Sequence, residues 1–365
     1  MNPMQYTVTA VVVSYNREAL LRECLDGIAT QTRPVDNVVV VDNASTDGSR
    51  DVIRGHELIA AHMADGTAHV VELKENTGGA GGFCAGIATA LADFDAAHTA
   101  ETDVETAATS QSRHYLWLMD DDTVPTSTAL EALLAAVERC VYENRAMPAA
   151  LGSKALWTDG REHLMNKPRV RAHIIKGDKY LDMSSFTADA ASGEAANPSE
   201  TSAYQARSLS FVSCLLNAGA IVNLGRLPRA AYFLWNDDFE FTTALLRRGI
   251  GYYVPASEVV HKTKVFGSSD ADPGVRFYEE VRNKIWLWRF SRQNFTPVEQ
   301  FELLLKTVRR WLLTWHRAED HKLIADCLER GWRDGWHTDP QPNADIFVSN
   351  PEVASAVCLC DEQCA

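Results

Sequence analysis

The chain has no apolar run approaching the roughly 18 residues that a membrane-spanning helix needs, and its first 15 residues carry no basic leader segment. The short apolar run at residues 8–13 therefore reads as a first strand, and any membrane contact is expected to be peripheral. A basic surplus is missing too: 35 Lys and Arg stand against 49 Asp and Glu, for a formal net charge of -14. General nucleic-acid binding leaves a basic footprint, so nucleic acid is excluded as a partner, and an anionic substrate must be met locally by a metal or a loop. Nor do the eight cysteines make a disulfide pattern, because Cys24, Cys84, Cys140, Cys214 and Cys327 are scattered through segments that read as regular structure. That scatter points to a reducing compartment, and so to the cytoplasm.

What is present is core-forming. With 46% hydrophobic and 23% charged residues over 365 positions, the chain can bury one large α/β domain and a smaller appendage. β-Branched runs at 8–14, 37–42, 69–73 and 115–119 alternate with helical periods at 18–30, 49–63 and 82–94. Alternation of this kind predicts a mainly parallel sheet flanked by helices, whose ligands gather at the carboxyl edge of the strands. Polar stretches at 93–113 and 187–202 read as solvated surface loops. Past Gly267 the composition turns rich in Arg, Trp and Leu at helical spacing through Gly331. Within it, residues 290–336 are locally basic and carry Trp311, Trp315, Trp332 and Trp336; such helices suit either an anionic membrane leaflet or packing on the sheet domain.

Three motifs carry chemistry. Asp120-Asp121-Asp122 follows the apolar strand directly, and residues two apart on an extended chain face the same way, so Asp120 and Asp122 can jointly hold Mg²⁺ or Mn²⁺. An acidic helix cap is the competing account. A second acidic group, Trp235-Asn236-Asp237-Asp238-Phe239-Glu240, has more acids than a cap needs and flanking aromatics, which suits a proton-accepting carboxylate beside a bound acceptor. The third is Asn76-Thr77-Gly78-Gly79-Ala80-Gly81-Gly82-Phe83, where glycines permit close backbone approach and a helix start offers free N–H groups to anionic oxygens, although glycines also make plain turns. His261 follows another apolar stretch; a lone histidine is commonly structural, but beside two acids its imidazole suits Mn²⁺.

Taken with Val11-Val12-Val13-Ser14-Tyr15-Asn16-Arg17 and Asp42-Asn43-Ala44-Ser45-Thr46-Asp47-Gly48, these motifs resemble the family-2 inverting glycosyltransferases of GT-A fold, over roughly residues 6 to 290. The resemblance implies a Rossmann-like GT-A catalytic domain at 1–266, with a nucleotide-binding half at 1–125 and an acceptor half at 126–266. A helical region at 267–336 and an irregular tail at 337–365 follow. It implies a nucleotide pocket lined by Ser14, Tyr15, Arg17 and Asp42, with Asn76, Gly78, Gly79, Gly82, Asp120 and Asp121 beside the donor. It further implies metal ligands at Asp120, Asp122 and His261, Asp238 as catalytic base, and Trp235, Asp237 and Glu240 at the acceptor. The triple Asp, the glycine loop and the Trp-x-Asp-Asp-x-Glu segment look most like bacterial galactofuranosyltransferases using UDP-galactofuranose in cell-wall polysaccharide biosynthesis; rhamnosyltransferases using dTDP-rhamnose come next. The Tyr278-x-x-x-Arg282-Asn283 stretch is shared by both groups. The acceptor would be a carbohydrate or a polyprenyl-linked glycan, met at the inner face of the cell membrane. Two features depart from the pattern: the 93–113 insertion and the terminal Cys358, Cys360 and Cys364. A non-catalytic nucleotide-sugar binder is the rival from another class, but it would need no separate base. A nucleotidyltransferase ranks lower, since the glycine loop is not at the first strand and lacks basic residues for a triphosphate.

Overall fold

A computed structural model describes residues 5–98, 113–171, 174, 176–184, 202–264, 266 and 272–361. The expected α/β architecture is present as a mixed sheet flanked by helices, with a helical C-terminal region. Strands β1 (Thr7–Ser14), β2 (Asn37–Asp42), β3 (Ala68–Glu72) and β4 (His114–Asp120) pair in parallel in the order β3-β2-β1-β4. Alternate residues of one strand enter opposite cores: Val8, Ala10 and Val12 pack on one face, Val11 and Val13 on the other. Burial on both faces is why these strands are unbroken apolar runs rather than alternating ones.

The sheet continues beyond β4 through β9 (Cys214–Asn217), β6 (Ala150–Leu156), β10 (Gly251–His261), β8 (Ser202–Gln205) and β7 (Tyr180–Asp182). A short strand, β5 (Thr123–Pro125), pairs antiparallel with the end of β10 and sets His261 opposite Thr123. Helices α1 (Glu18–Ala29), α2 (Ser49–Gly55), α3 (Glu57–Ala64), α4 (Gly78–His98), α5 (Ala129–Asn144), α6 (Ala218–Leu224) and α7 (Asp237–Arg248) complete this part.

Three expectations need correction. The single helix expected at 49–63 is split at His56, whose extended backbone ends α2 and whose Nδ1 accepts from Leu58 N at 3.2 Å to cap α3. The helix expected from Gly82 starts at Gly78, so the glycines form its first turns: a Cβ on Gly82 would lie 2.3 Å from Val13 and one on Gly86 2.5 Å from Val11, so their absence lets α4 press on β1. The tail is not irregular over its described part. After α8 (Phe277–Phe290), α9 (Pro297–Arg317) and α10 (His321–His337) come α11 (Asn343–Ile346) and α12 (Pro351–Cys360). Val353 and Val357, one helical turn apart, join Phe347 in the core beside α4. Cys358 is exposed and Cys360 half-buried, while Cys364 and most of the 93–113 and 187–202 stretches lie outside the described residues. Among the described residues no helix is long and apolar enough to cross a membrane.

Candidate active site

The chain steps outward from β1 through β2 to β3, then crosses back by α4 to place β4 on the other side of β1, so the strand order reverses at β1 and a crevice opens at the carboxyl edge there. Ser14 ends β1 there and the three aspartates end β4. Asp121 is tied down at once: its Oδ2 accepts from Ser14 Oγ and from Tyr15 N, both at 3.0 Å, and its Oδ1 faces Arg17 Nη1 at 3.2 Å. Burial pushes its carboxyl up to about 6 against the pull of Arg17. The same guanidinium nitrogen bonds Asp122 Oδ2, so Arg17 supplies the positive charge between the two acids.

Asp122 and His261 meet because β5 folds back on β10. Lys262 N donates to Asp122 O at 2.8 Å, and His261 Nε2 stands 3.3 Å from Asp122 Oδ1. Burial raises the Asp122 carboxyl, but His261 and Arg17 outweigh it and hold it below its ordinary value. Its Oδ1 is buried and makes no hydrogen bond. Asn166 Oδ1 lies 3.0 Å from His261 Nδ1 and orients the ring, so that Nε2 is the atom turned toward Asp122. An orphaned carboxylate oxygen beside such a nitrogen fits a hard divalent cation. Among the described residues no three His, Cys, Asp or Glu side chains form a ready cage, so a cation here would take its remaining ligands from a bound diphosphate and water. Asp120 is held well up, first by burial and then by the charges of Asp122 and Asp121, with Asp237 adding to the push. The approach to α7 meets the start of α4, where Ala80 N donates to the Phe233 carbonyl at 3.1 Å.

The approach to α7 is strained. Phe233, Trp235 and Asn236 all have positive φ, at 62°, 65° and 68°. Asn283, fully buried on α8, holds them: its Nδ2 donates to the carbonyls of Tyr232, Leu234 and Trp235, each at 2.9 Å. Arg282 adds bonds to the carbonyls of Ala231 and Tyr232 at 3.2 and 3.0 Å. The clamp fixes Asp237 and Asp238 at the first turn of α7. Asp237 is buried, and burial with the neighbouring Asp238 charge pushes it to about 8. Asp238 is half-buried; burial raises its carboxyl, while Phe239 N, donating at 2.6 Å, and Ser210 hold it in place. Trp235 is half-buried, with the Arg310 guanidinium 5.5 Å from its ring centre. Glu240 stands behind the crevice, only 1% exposed, bonded by Arg226 at 2.7 and 3.1 Å and by the Ser291 hydroxyl. Those bonds make it a tie between α7 and the end of α8.

At the far side, Asp42 is buried with both oxygens engaged, Oδ1 by Ser45 N at 3.1 Å and Oδ2 by Arg50 Nε at 2.7 Å. Asn43 bonds Thr77 N and Gly78 O, and Asn76 Oδ1 accepts from Gly78 N, so these amides shape the glycine turn. Gly78, at φ 71°, packs so tightly on the Phe233 carbonyl that no side chain fits; Gly79 alone of the four fronts open space. Asn43, Arg50, Asn166 and Asn283 carry this scaffolding, and none was expected to from its residue type. Asn43 and Asn283 lie within sequence motifs but without an assigned role; Arg50 and Asn166 lie in none.

The sequence pattern of Glycosyl transferase family 2 matches residues 9–144. The galactofuranosyltransferase GlfT1 of Mycolicibacterium smegmatis is 30% identical over 127 residues, which is 35% of this chain and 33% of that protein. GlfT1 of Mycobacterium tuberculosis is 31% identical over 139 residues, 37% of each chain. The chain thus matches about a third of the length of these relatives. Among solved structures, the mannosyltransferase PcManGT from Pyrobaculum calidifontis, in complex with GDP-Man and Mn2+, aligns with a TM-score of 0.47 at 16% identity, covering 98% of this chain and 87% of that one. The matched stretch contains Ser14, Arg17, Asp42, the glycine run and the three aspartates at the end of β4, so over residues 9–144 the chain is similar to Glycosyl transferase family 2.

Proposed function

We propose that the chain is an inverting glycosyltransferase, moving a sugar from a nucleotide-diphosphate donor to a carbohydrate acceptor by single displacement. The observation that carries this reading is the buried, unbonded Asp122 Oδ1 set 3.3 Å from His261 Nε2, at a crevice whose α4 rim the approach to α7 also meets. A divalent ion, Mn²⁺ or Mg²⁺, held by Asp122 and His261 with Asp120, would supply Lewis-acid neutralisation of the departing diphosphate. Tyr15 and Arg17 line the nucleotide pocket, Ser14 and Asp42 frame it from behind as buried supports, and the open backbone at Gly79 offers the α4 start to anionic oxygen. Asp238, the more accessible acid of its pair, takes the proton of an acceptor hydroxyl. That oxygen bonds to the anomeric carbon as the bond to the diphosphate breaks on the opposite face. Trp235 and Asp237 flank the acceptor.

The GlfT1 matches favour UDP-galactofuranose as donor, with dTDP-rhamnose second. A polyprenyl-linked glycan presented at the inner face of the cell membrane suits α9, where Val298, Phe301, Leu305, Val308, Leu312 and Trp315 form an exposed apolar stripe. Incubation with Mn²⁺, a donor panel and lipid-linked glycan acceptors, with nucleotide release as readout, tests the reading. Metal- and acceptor-dependent release of UDP from UDP-galactofuranose is expected; no turnover of any nucleotide sugar sinks it.

A further inference from the structure

Three cations from separate elements converge beside the first turn of α7. Arg207 follows β8 and sets its guanidinium 5.5 Å from the Phe239 ring centre and 5.8 Å from that of Phe295. Lys284, on α8, places its ammonium 5.1 Å from the same Phe239 ring. Arg310, on α9, lies 5.5 Å from the Trp235 ring. Aromatic faces thus back a cluster of positive charge next to Asp238.

The acids nearby offset it only in part. Glu302 is shared among Arg169 at 2.9 Å, Arg207 at 3.6 Å and Lys306. Glu280 has one oxygen bonded to Asn236 and the other, buried and without a hydrogen bond, 3.6 Å from Arg310 Nε. Among the described residues Lys284 makes no hydrogen bond or ion pair; burial depresses its pKa, Glu280 and Asp238 oppose this, and the like charges of Arg310 and Arg207 add to it. An excess of cations over acids gathered in one place is unfavourable unless an anion arrives. Two guanidinium forks and one ammonium match the several oxygens and multiple charge of a phosphate better than a single carboxylate.

We propose that Arg207, Lys284 and Arg310 form an anion subsite that receives a phosphate group of the acceptor, distinct from the donor diphosphate position at the end of β4. The link to an acceptor rests on the transferase reading; the subsite itself does not. Calorimetry with inorganic pyrophosphate in EDTA tests it on the full chain, in wild type, Lys284→Gln, Arg310→Gln, Lys284→Arg and Arg17→Gln. Wild type binds saturably, the affinity drops about tenfold in Lys284→Gln and in Arg310→Gln, and Lys284→Arg, which keeps the charge, restores it. Unchanged affinity in both glutamine variants, or a loss confined to Arg17→Gln, overturns the subsite. Lys284→Arg guards against misfolding as the cause of a loss. Sedimentation with phosphatidylcholine vesicles, with and without phosphatidic acid, separates the sources: a Lys284-dependent gain from phosphatidic acid assigns a lipid phosphate, and its absence alongside lost pyrophosphate binding assigns a soluble one. UDP binding with Mn²⁺ is measured on the same samples. Its absence throughout removes the transferase reading and leaves the pyrophosphate result standing.

Discussion

Asp238 and Glu240 sit two residues apart on one helix and are expected to fail differently. Asp238→Asn is expected to lower transfer by about 10²–10⁴-fold while donor affinity holds, since a base acts only as the acceptor attacks. Steady-state kinetics with donor binding measured separately would expose the error if transfer persisted. Glu240 is a stability residue. Burial raises its carboxyl, but Arg226, Arg229 and the Ser291 hydroxyl outweigh this and hold it below its ordinary value. A depressed folded pKa contributes stability above the unfolded value of about 4.3, and that contribution is lost as pH falls through the lower folded value. Glu240→Gln should therefore cost about 3 kcal/mol at neutral pH, by stranding a buried arginine. The gap to wild type should close below about pH 4. Urea denaturation at both pH values decides, and equal stability at neutral pH would deny the tie. At this scale the acids and His261 were legible because their chemistry is visible in their identity. Asn43, Asn166 and Asn283 were not, because an amide acquires its role from partners 35, 95 and about 50 positions away.

Among the elements, the strands were legible because two-sided burial writes itself as unbroken valine runs. The break at His56 and the start of α4 were not, since each depends on one local contact that periodicity does not record. The glycine run can be dissected on that basis. Gly82→Ala should destabilise by about 1–3 kcal/mol through overpacking on Val13, whereas Gly79→Ala, with open space before it, should leave the melting temperature unmoved. Thermal scans of the two variants compare them directly, and equal losses would mean that α4 does not rest on β1 as described. Helix α8 offers a second case. Asn283→Ala strands three carbonyls of a strained turn, each worth about 1–3 kcal/mol, and should lower kcat while donor KM stays near wild type, because the donor pocket belongs to other strands. A rise in donor KM with kcat intact would contradict that assignment. Helices α8 and α10 pack closely because Gly331 and Gly335 meet Val281 and Ile285, where added Cβ atoms would come within 2.8 Å.

For the whole molecule, the sequence conveyed the parallel strands β1 to β4 and the rest of the sheet only in outline, since strands β6 to β10 pair out of chain order and leave no simple alternation to read. The tail showed the same limit, its helix recognisable only once α4 supplies a surface for Val353 and Val357. The outward face of α9 is the feature with the widest reach. If α9 docks on lipid, as proposed, Phe301→Glu with Leu305→Glu should leave folding intact, since both side chains are exposed, and should abolish vesicle flotation. Undiminished flotation, or none in the wild type, would refute docking through α9.

Helix α9 is also committed on its other side, where Arg310 reaches Trp235 and Glu280. A rod engaged on both flanks behaves as a fixed-height stilt, about 10 Å thick. If lipid lies beneath it, the reach of the proposed site above the surface would be set by the thickness of a single helix.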